Sequence, residues 1–449
     1  MIQQLFGLLE GFENLLWAYI GFPCLMFLGL YLTFRSQFVQ LRQFPNVVKI
    51  FFEFLKVRET TPGAVHPLKA FFASVGGCIG IGNIVGICTA VQIGGPGALF
   101  WIWMTALVGS MVKYAEVYLG LKFRVPNNKG SYDGGPMYFL QRVFKTAWMP
   151  TLVSLLLCVY GVEVYQFSVI TTSVTSNLEV NQYLVIGGLL LLVIFAGSGG
   201  VRRVGTISSA IIPLFVLMYV GMSGWVLFNN IQVLPSALTG VFSAAFTGHA
   251  AFGGFLGSTL LMTISQGVRR GCYTGDLGIG YASVIHSESS AKVPEKQAAL
   301  VIFDIFLDTF IICTSSILVI LVTDVWHQEM DAGMLVQTAL AAYFPYMNYF
   351  MPFFLFLLGY STINAYFCVG LKCAEHLAPQ WGRRIYYAYA VLALLVFSFV
   401  DSLQAQTVMS IAGGLLLAIN CYGIFRLRHE LSYDLSASEP LTASKNLFA

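Results

Sequence analysis

Val75-Gly76-Gly77-Cys78-Ile79-Gly80-Ile81-Gly82-Asn83-Ile84-Val85-Gly86 places five glycines within residues 76–86 of an apolar run that extends over 68–96. Glycine costs about 1 kcal/mol relative to Ala inside a helix, so this concentration predicts a helix opened near its middle. Tight packing is the competing reading, since small residues let membrane helices approach closely. A second rich stretch, His249-Ala250-Ala251-Phe252-Gly253-Gly254-Phe255-Leu256-Gly257-Ser258-Thr259, lies five apolar runs later. Five is odd, so two such segments would cross a bilayer in opposite directions. Paired interruptions at corresponding places in inverted halves mark a midplane binding site. Irregular backbone is tolerated at that depth only where it lines a cavity.

The composition around these runs supports a membrane setting. Of 449 residues, 57% are apolar and only 10% are charged, against about 25% charged in soluble domains. So few charges cannot cover a soluble protein of this size, and 37 Phe argue against disorder. Nine Cys, mostly inside apolar runs, do not make a disulfide scaffold, and a net charge of +3 offers no nucleic-acid footprint. Helical crossings need about 20 apolar residues. Eleven candidates follow, at 14–34, 68–96, 98–121, 148–174, 183–199, 205–228, 249–268, 298–323, 345–370, 384–400 and 405–425. The first run lacks a preceding basic region and is flanked by Glu10 and Glu13, so it reads as a span rather than a signal peptide.

The cations arrange themselves by side. All but Lys113 of the 24 Lys and Arg fall in alternate connections or the tail, and Lys113 lies toward the same end of its span. The connections near 175–182, 229–247, 324–344 and 401–404 hold none. This bias predicts a cytoplasmic basic side, an outer N-terminus and a cytoplasmic C-terminus. The chain reads as one transmembrane domain with an extra span at 14–34, repeat one at 68–228 and repeat two at 249–425. A polar, disordered tail is expected at 430–449. The inner connections 35–67 and 122–147 are expected to carry amphipathic helices on the membrane face.

Neither a dinucleotide fingerprint nor catalytic chemistry emerges. The third glycine of a Gly-x-Gly-x-x-Gly pattern starting at Gly80 would fall at Val85, inside a span. Cys368 and Cys373 lack metal-like spacing, and the six His are scattered. No enzyme, transition-metal site or cofactor is expected.

Several motifs are nevertheless specific. Gly80-Ile81-Gly82-Asn83-Ile84-Val85-Gly86, Gly94-Gly95-Pro96-Gly97-Ala98-Leu99-Phe100-Trp101 and Lys113-Tyr114-Ala115-Glu116 occur in that order. Gly134-Gly135-Pro136-Met137-Tyr138, Gly267-Val268-Arg269-Arg270-Gly271, Asp308-Thr309 and Cys313-Thr314 follow. This series resembles the alanine or glycine:cation symporter family, also called the sodium:alanine symporter family. The resemblance implies an all-α, leucine-transporter-like five-plus-five inverted repeat with one extra N-terminal span. It implies inner-membrane import of a small neutral amino acid, alanine or glycine foremost, with Na⁺ as the co-transported ion. The lipid bilayer is then the surrounding partner, and no obligatory protein partner is evident.

The resemblance also assigns residues. Backbone groups at Gly80 and Gly82, with Asn83, would meet the amino acid beside Gln166 of the fourth span; helix–helix hydrogen bonding is the simpler role for that Gln. Phe252, Gly253, Gly254, Phe255 and Gly257 would form the second wall, with interruptions near 76–83 and 253–259. Carbonyls of Gly76 and Ile79 with hydroxyls of Ser361 and Thr362 would hold Na⁺, whereas bonding to their own helix is the plain alternative for these hydroxyls. Asn83 and the substrate carboxylate could form a second ion site. Asp304, Asp308 and Asp276 are expected to pair with Arg269 or Arg270 as an inner gate or anchor, and Lys113 and Glu116 to be structural.

The chain departs from the family's pattern at Cys78, Ile81, Phe252, Phe167, Ser168 and Leu371, and Glu163 stands where Asn is usual. A carboxylate inside a span is functional by default, so Glu163 is a possible coupling carboxylate, one helical turn from Gln166. Two alternatives follow, a proton-coupled amino-acid transporter and a transporter-like amino-acid sensor.

Overall fold

The structure is a computed structural model, and it describes residues 2–57, 63–128, 130–197, 199–247, 260–328 and 330–436. It is a helical bundle in which, among the described residues, seven helices are long and apolar enough to cross a bilayer. They are Gln4–Arg35, Ala98–Lys122, Trp148–Leu178, Gly200–Asn229, Pro294–Val322, Met347–Leu377 and Ser402–Arg426. An eighth crossing is a bent pair, Pro67–Cys78 followed by Ile81–Gly94, with 53° between the halves. The spans expected at 183–199 and 384–400 fall on the 16-residue helices Gln182–Gly197 and Gly382–Phe397.

The bent pair follows from its sequence. Pro67 opens the first half with His66 as its cap, the imidazole Nδ1 accepting the Leu68 N–H at 3.2 Å. Twelve residues rise only about 18 Å, too little for a core about 30 Å thick. Helical geometry ends at Ile79 (ψ 91°), Gly80 is extended, Ile81–Asn83 form a single 3-10 turn, and the helix resumes over Gly86–Gly94. The glycine run therefore marks a true interruption.

A further interruption lies beyond the stretch where one was expected. The stretch 253–259 falls outside the described residues. Among the described ones, the helix Leu260–Gly275 stops and Tyr281–Ser287 begins after a loop with three positive φ angles, at Asp276 (49°), Gly278 (75°) and Gly280 (113°). The halves associate in kind. Pro67–Cys78 touches Tyr281–Ser287, and Gly86–Gly94 packs on Leu260–Gly275. The Tyr281 hydroxyl ties the first two by donating to the Ala73 carbonyl at 2.8 Å.

Ala98–Lys122 is the axle of this arrangement. It is buried almost continuously from Ser110 to Leu121 and packs on Leu260–Gly275, Pro294–Ile305, Tyr281–Ser287 and Phe22–Arg35. Its Glu116 carboxylate accepts the N–H groups of Gly280 (3.1 Å) and Ser283 (3.2 Å), while Asp276 accepts that of Ala282 (3.0 Å). Those donors open the Tyr281–Ser287 helix and have no partner within it. Lys113, fully buried, donates to Gly275 O at 2.9 Å and pairs with Asp304 at 2.6 Å. A cation on the last carbonyls of a helix offsets its dipole.

Three expectations about the periphery are corrected or refined. The connection 35–67 does carry an apolar-faced helix, Phe44–Leu55. The connection 122–147 does not: Val125–Pro126 pairs antiparallel with Tyr132–Asp133, and Pro136–Phe139 is one short turn. Gly134, Gly135 (φ 114°) and Pro136 stop any longer helix there. The tail is packed as far as it is described, with Leu431 and Leu435 buried and Tyr433 stacked on Tyr114 at 5.6 Å. The cation-free connections also hold two short helices, Leu234–Thr247 and Ala332–Ala341.

Removing one partner of a buried ion pair costs about 3–5 kcal/mol, whereas replacing both with apolar groups is close to neutral. Lys113→Met should therefore lower the Tm of the detergent-purified protein sharply, and Lys113→Met with Asp304→Leu should recover most of the loss. Equal melting of the single and double variants would contradict the pairing.

Candidate functional site

The first interruption exposes main-chain groups that helices normally satisfy internally, and side chains from other spans meet them. The Gly80 N–H donates to Asn83 Oδ1 at 2.9 Å within the turn. The Ile81 N–H donates to Gln166 Oε1 at 3.0 Å, across from Val164–Leu178. Gln166 is thus brought to the break as the sequence suggested. Gly80 also sits against Met347–Leu377, where a Cβ would collide with the Thr362 hydroxyl and lie 3.2 Å from the Gln166 amide nitrogen. Gly82 faces Leu260–Gly275, with a Cβ position 3.4 Å from the Tyr273 ring and 3.5 Å from the Thr274 methyl. Close approach therefore requires Gly80, whereas a Cβ at Gly82 would make only ordinary contact.

The expected cation ligands mostly converge one turn earlier. Thr362 Oγ1 donates to Gly76 O at 3.1 Å. Ser361 Oγ lies 2.6 Å from where a Gly76 Cβ would sit and exchanges a 2.8 Å hydrogen bond with Ser208 of Gly200–Asn229. The hydroxyls thus reach a neighbouring span instead of turning back on their own helix. Ile79 closes the Pro67–Cys78 helix, its N–H bonded to Val75 O at 2.7 Å. Carbonyl and hydroxyl oxygens of this kind suit a hard cation.

Asn83 is held more firmly than the sequence suggested. Its amide donates to Asp308 Oδ1 at 2.5 Å and approaches Cys313 Sγ at 3.2 Å, while its carbonyl accepts from Ser316 at 2.7 Å. All three partners lie on Pro294–Val322, which is π-helical over Phe306–Cys313. The expected pairing of Asp304 and Asp308 with Arg269 or Arg270 is not formed. Asp304 pairs with Lys113, Asp308 with Asn83 and Thr309, and Arg269 pairs with Glu13 at 2.8 Å. Asp276 likewise meets Ala282 N–H and, at 3.5 Å, the Tyr366 hydroxyl. The sequence placed the two acids near the basic ends, whereas the fold brings their span beside the break.

Glu163 occupies a kink in Trp148–Leu178, with φ 52° and 1% exposure. Its carboxylate accepts from the Tyr273 hydroxyl at 3.0 Å. Tyr273, in turn, is the ring against Gly82, so Glu163 reaches the break through one phenol. Tyr273, Ser208 and Ser316 are site residues that sequence reasoning missed, and Cys313 stood there only as part of a motif. None belongs to a charged or glycine-rich pattern, so only the fold reveals them. Phe252, Gly253, Gly254, Phe255 and Gly257 lie outside the described residues. Among those described, no group of three or more His, Cys, Asp or Glu could hold a metal ion.

Gly76, Ile79, Gly80, Gly82 and Asn83 are all buried, as are Ser361, Thr362 and Gln166. Among the described residues, the arrangement therefore offers main-chain donors on one side of the break and carbonyl and hydroxyl oxygens on the other, all of them buried.

Comparisons with known proteins bear on the family and the fold. A sequence profile described as the sodium:alanine symporter family matches residues 2–438. A probable sodium/glutamine symporter, GlnT, of Bacillus subtilis is 30% identical, over 95% of this chain and 89% of its own. The sodium/alanine symporter AgcS of Methanococcus maripaludis is 28% identical, over 92% and 94% respectively. Among solved structures, MhsT in complex with L-phenylalanine superposes with a TM-score of 0.55 at 15% identity, covering 80% of this chain and 88% of that one. The fold is thus shared with that solved structure.

Overpacking a tight contact costs about 1–3 kcal/mol. Gly80→Ala should therefore lower the Tm measurably, while Gly187→Ala, whose Cβ would have nothing within 4 Å, should not. A neutral Gly80→Ala would mean that the break is looser than described.

Proposed function

Because the chain belongs to the sodium:alanine symporter family, we propose that this multi-pass membrane transporter imports a small neutral amino acid, alanine or glycine, together with Na⁺. The observation that carries the reading is the Ile81 N–H bonded to Gln166 at 3.0 Å, beside the Thr362–Gly76 contact. Donors freed by the break hold the substrate carboxylate, with Gln166 and Asn83 meeting the amino acid beside them. Oxygens of Gly76, Ile79, Ser361 and Thr362 hold the cation one turn away, so the two charges neutralise each other inside a low-dielectric site. Gly80 and Gly82 leave room for a ligand near the main chain, and the close walls favour a small side chain. Phe252, Gly253, Gly254, Phe255 and Gly257 complete the pocket in this reading. A relative named for glutamine makes that amino acid the competitor to include.

The remaining architecture is proposed on the same basis. Eleven spans, an inverted repeat over 68–228 and 249–425, an outer N-terminus and a cytoplasmic C-terminus in the inner membrane account together for the cation distribution and the paired half-helices. One inward charge at 100 mV is worth about 2.3 kcal/mol, or roughly fifty-fold accumulation.

Purified protein in proteoliposomes should accumulate alanine or glycine when an inward Na⁺ gradient is imposed, and Gln166→Ala should weaken binding at least tenfold. Uptake indifferent to both Na⁺ and proton gradients would overturn the symporter reading.

A second reading assigns part of the coupling to protons through Glu163. The buried carboxylate's contact with the Tyr273 hydroxyl motivates it, since neutral and ionised forms would hold Tyr273 differently. If protons contribute, Glu163→Gln should abolish the pH dependence of uptake while retaining its Na⁺ dependence. An unchanged pH profile would leave Na⁺ as the sole driver.

A further inference from the structure

Beside Gly86–Gly94, three buried polar side chains have atoms with no hydrogen-bond partner among the described residues. Tyr165 is 1% exposed and its hydroxyl has no hydrogen-bond partner; Gln406 is 2% exposed and neither end of its amide has one. They surround the same bare Cα: a Cβ at Gly86 would lie 3.3 Å from Gln406 Nε2 and 3.4 Å from the Tyr165 hydroxyl. Arg270 completes the set. It is 5% exposed and its Nε has no hydrogen-bond partner among the described residues, while Glu13, the partner of Arg269, also bears on its charge. Its neighbour Arg269 takes Glu13 at 2.8 Å and Asn14 at 3.2 Å.

The three are one cluster. Arg270 stands one helical turn from Tyr273, whose ring lies 6.3 Å from that of Tyr165, and its charge acts on both phenols. Gln266, a further turn along, adds an unpaired amide oxygen. Buried polar groups in native proteins are nearly always hydrogen-bonded, and an isolated buried charge is costly unless something compensates it. Ionisable residues within the membrane mark the path of a substrate or ion. What these side chains offer is chiefly donors: a planar guanidinium fork, an amide NH₂ and a phenolic hydroxyl. A carboxylate matches that set, since the fork can bind it bidentately.

We infer that Arg270, Gln406 and Tyr165 form a carboxylate-binding station beside Gly86, where the transported amino acid is held before it reaches the break at Gly80–Asn83. The inference rests on the symporter reading above and adds a second position to it. Gly86 lies four residues beyond Gly82, and Tyr273 touches the face of Gly82 while neighbouring Tyr165. A carboxylate can thus pass from the guanidinium to the main-chain donors without returning to water.

A small inorganic anion such as chloride would suit the same donors, so the experiment carries arms for both. Initial rates of labelled alanine uptake are measured in proteoliposomes for the wild type, Arg270→Gln, Arg270→Lys, Gln406→Leu and Tyr165→Phe, with chloride or gluconate as the anion. The station predicts a KM raised tenfold or more in Arg270→Gln and about threefold in Gln406→Leu and Tyr165→Phe. Maximal rate and Na⁺ dependence should be retained, with partial rescue in Arg270→Lys. Unchanged KM in Gln406→Leu and Tyr165→Phe would overturn the proposal even if Arg270→Gln fails to fold. A wild-type KM that rises in gluconate to the variants' level would assign the site to chloride and overturn it too. A wild type that carries no alanine at all would instead refute the symporter reading, before any variant is compared.

Discussion

An interrupted helix within a bilayer must find partners for its freed N–H and C=O groups, because lipid supplies none. That requirement organises this molecule. Around the first interruption, Gln166 takes the Ile81 N–H, Asn83 takes that of Gly80, and Asp308 fixes Asn83 from Pro294–Val322. Around the second, Glu116 and Asp276 take the first donors of Tyr281–Ser287, and Lys113 takes the Gly275 carbonyl. Each break thus has an acid of a neighbouring span among its supports, Asp308 at the first and Glu116 at the second. Lys113 joins the two systems: its ammonium also lies 3.2 Å from Cys78 Sγ, at the end of the first half-helix.

The same requirement explains the placement of charge. With only 10% charged residues, buried ions are expensive unless paired, and the described core spends them at the interruptions. Lys113–Asp304, Glu116 with its two N–H donors, and Arg269–Glu13 all pin elements that cannot be held by helical hydrogen bonds. Arg269–Glu13 fastens the first span to Leu260–Gly275, and the Trp17 indole donates to Ser410 O at 3.1 Å to fasten it to the last. The helix that precedes the proposed repeats is therefore bound to the bundle by polar contacts as well as by apolar packing.

Much of this was legible in the chain itself. The glycine run at 76–86 located the first break within a residue or two, because glycine's cost inside a helix is local and large relative to its neighbours. Gln166, Ser361 and Thr362 stood at matching motif positions, and the structure brings each to that break. The second interruption was harder. Leu260–Gly275 carries Gln266, Arg269 and Arg270, so its low hydropathy hides the continuation of the segment toward Tyr281. Gly275, Gly278 and Gly280 were overshadowed by the denser glycines at 253–257. The acids of Pro294–Val322 were misassigned because sequence gives their depth but not their partners, and the π-helical turn at Phe306–Cys313 shifts their facing. Tyr273, Ser208 and Ser316 carried no pattern at all.

The hydrogen-bond ladder offers a last point about motion. Ile79 N bonds back to Val75 O, and the next regular link is Val85 N to Ile81 O, so no rung joins the two halves of the bent span across Gly80. Each half is a separate rod on a glycine pivot. The first rod rests chiefly on Gly200–Asn229, and the second on Leu260–Gly275. A displacement of one rod is therefore not handed to the other through main-chain hydrogen bonds.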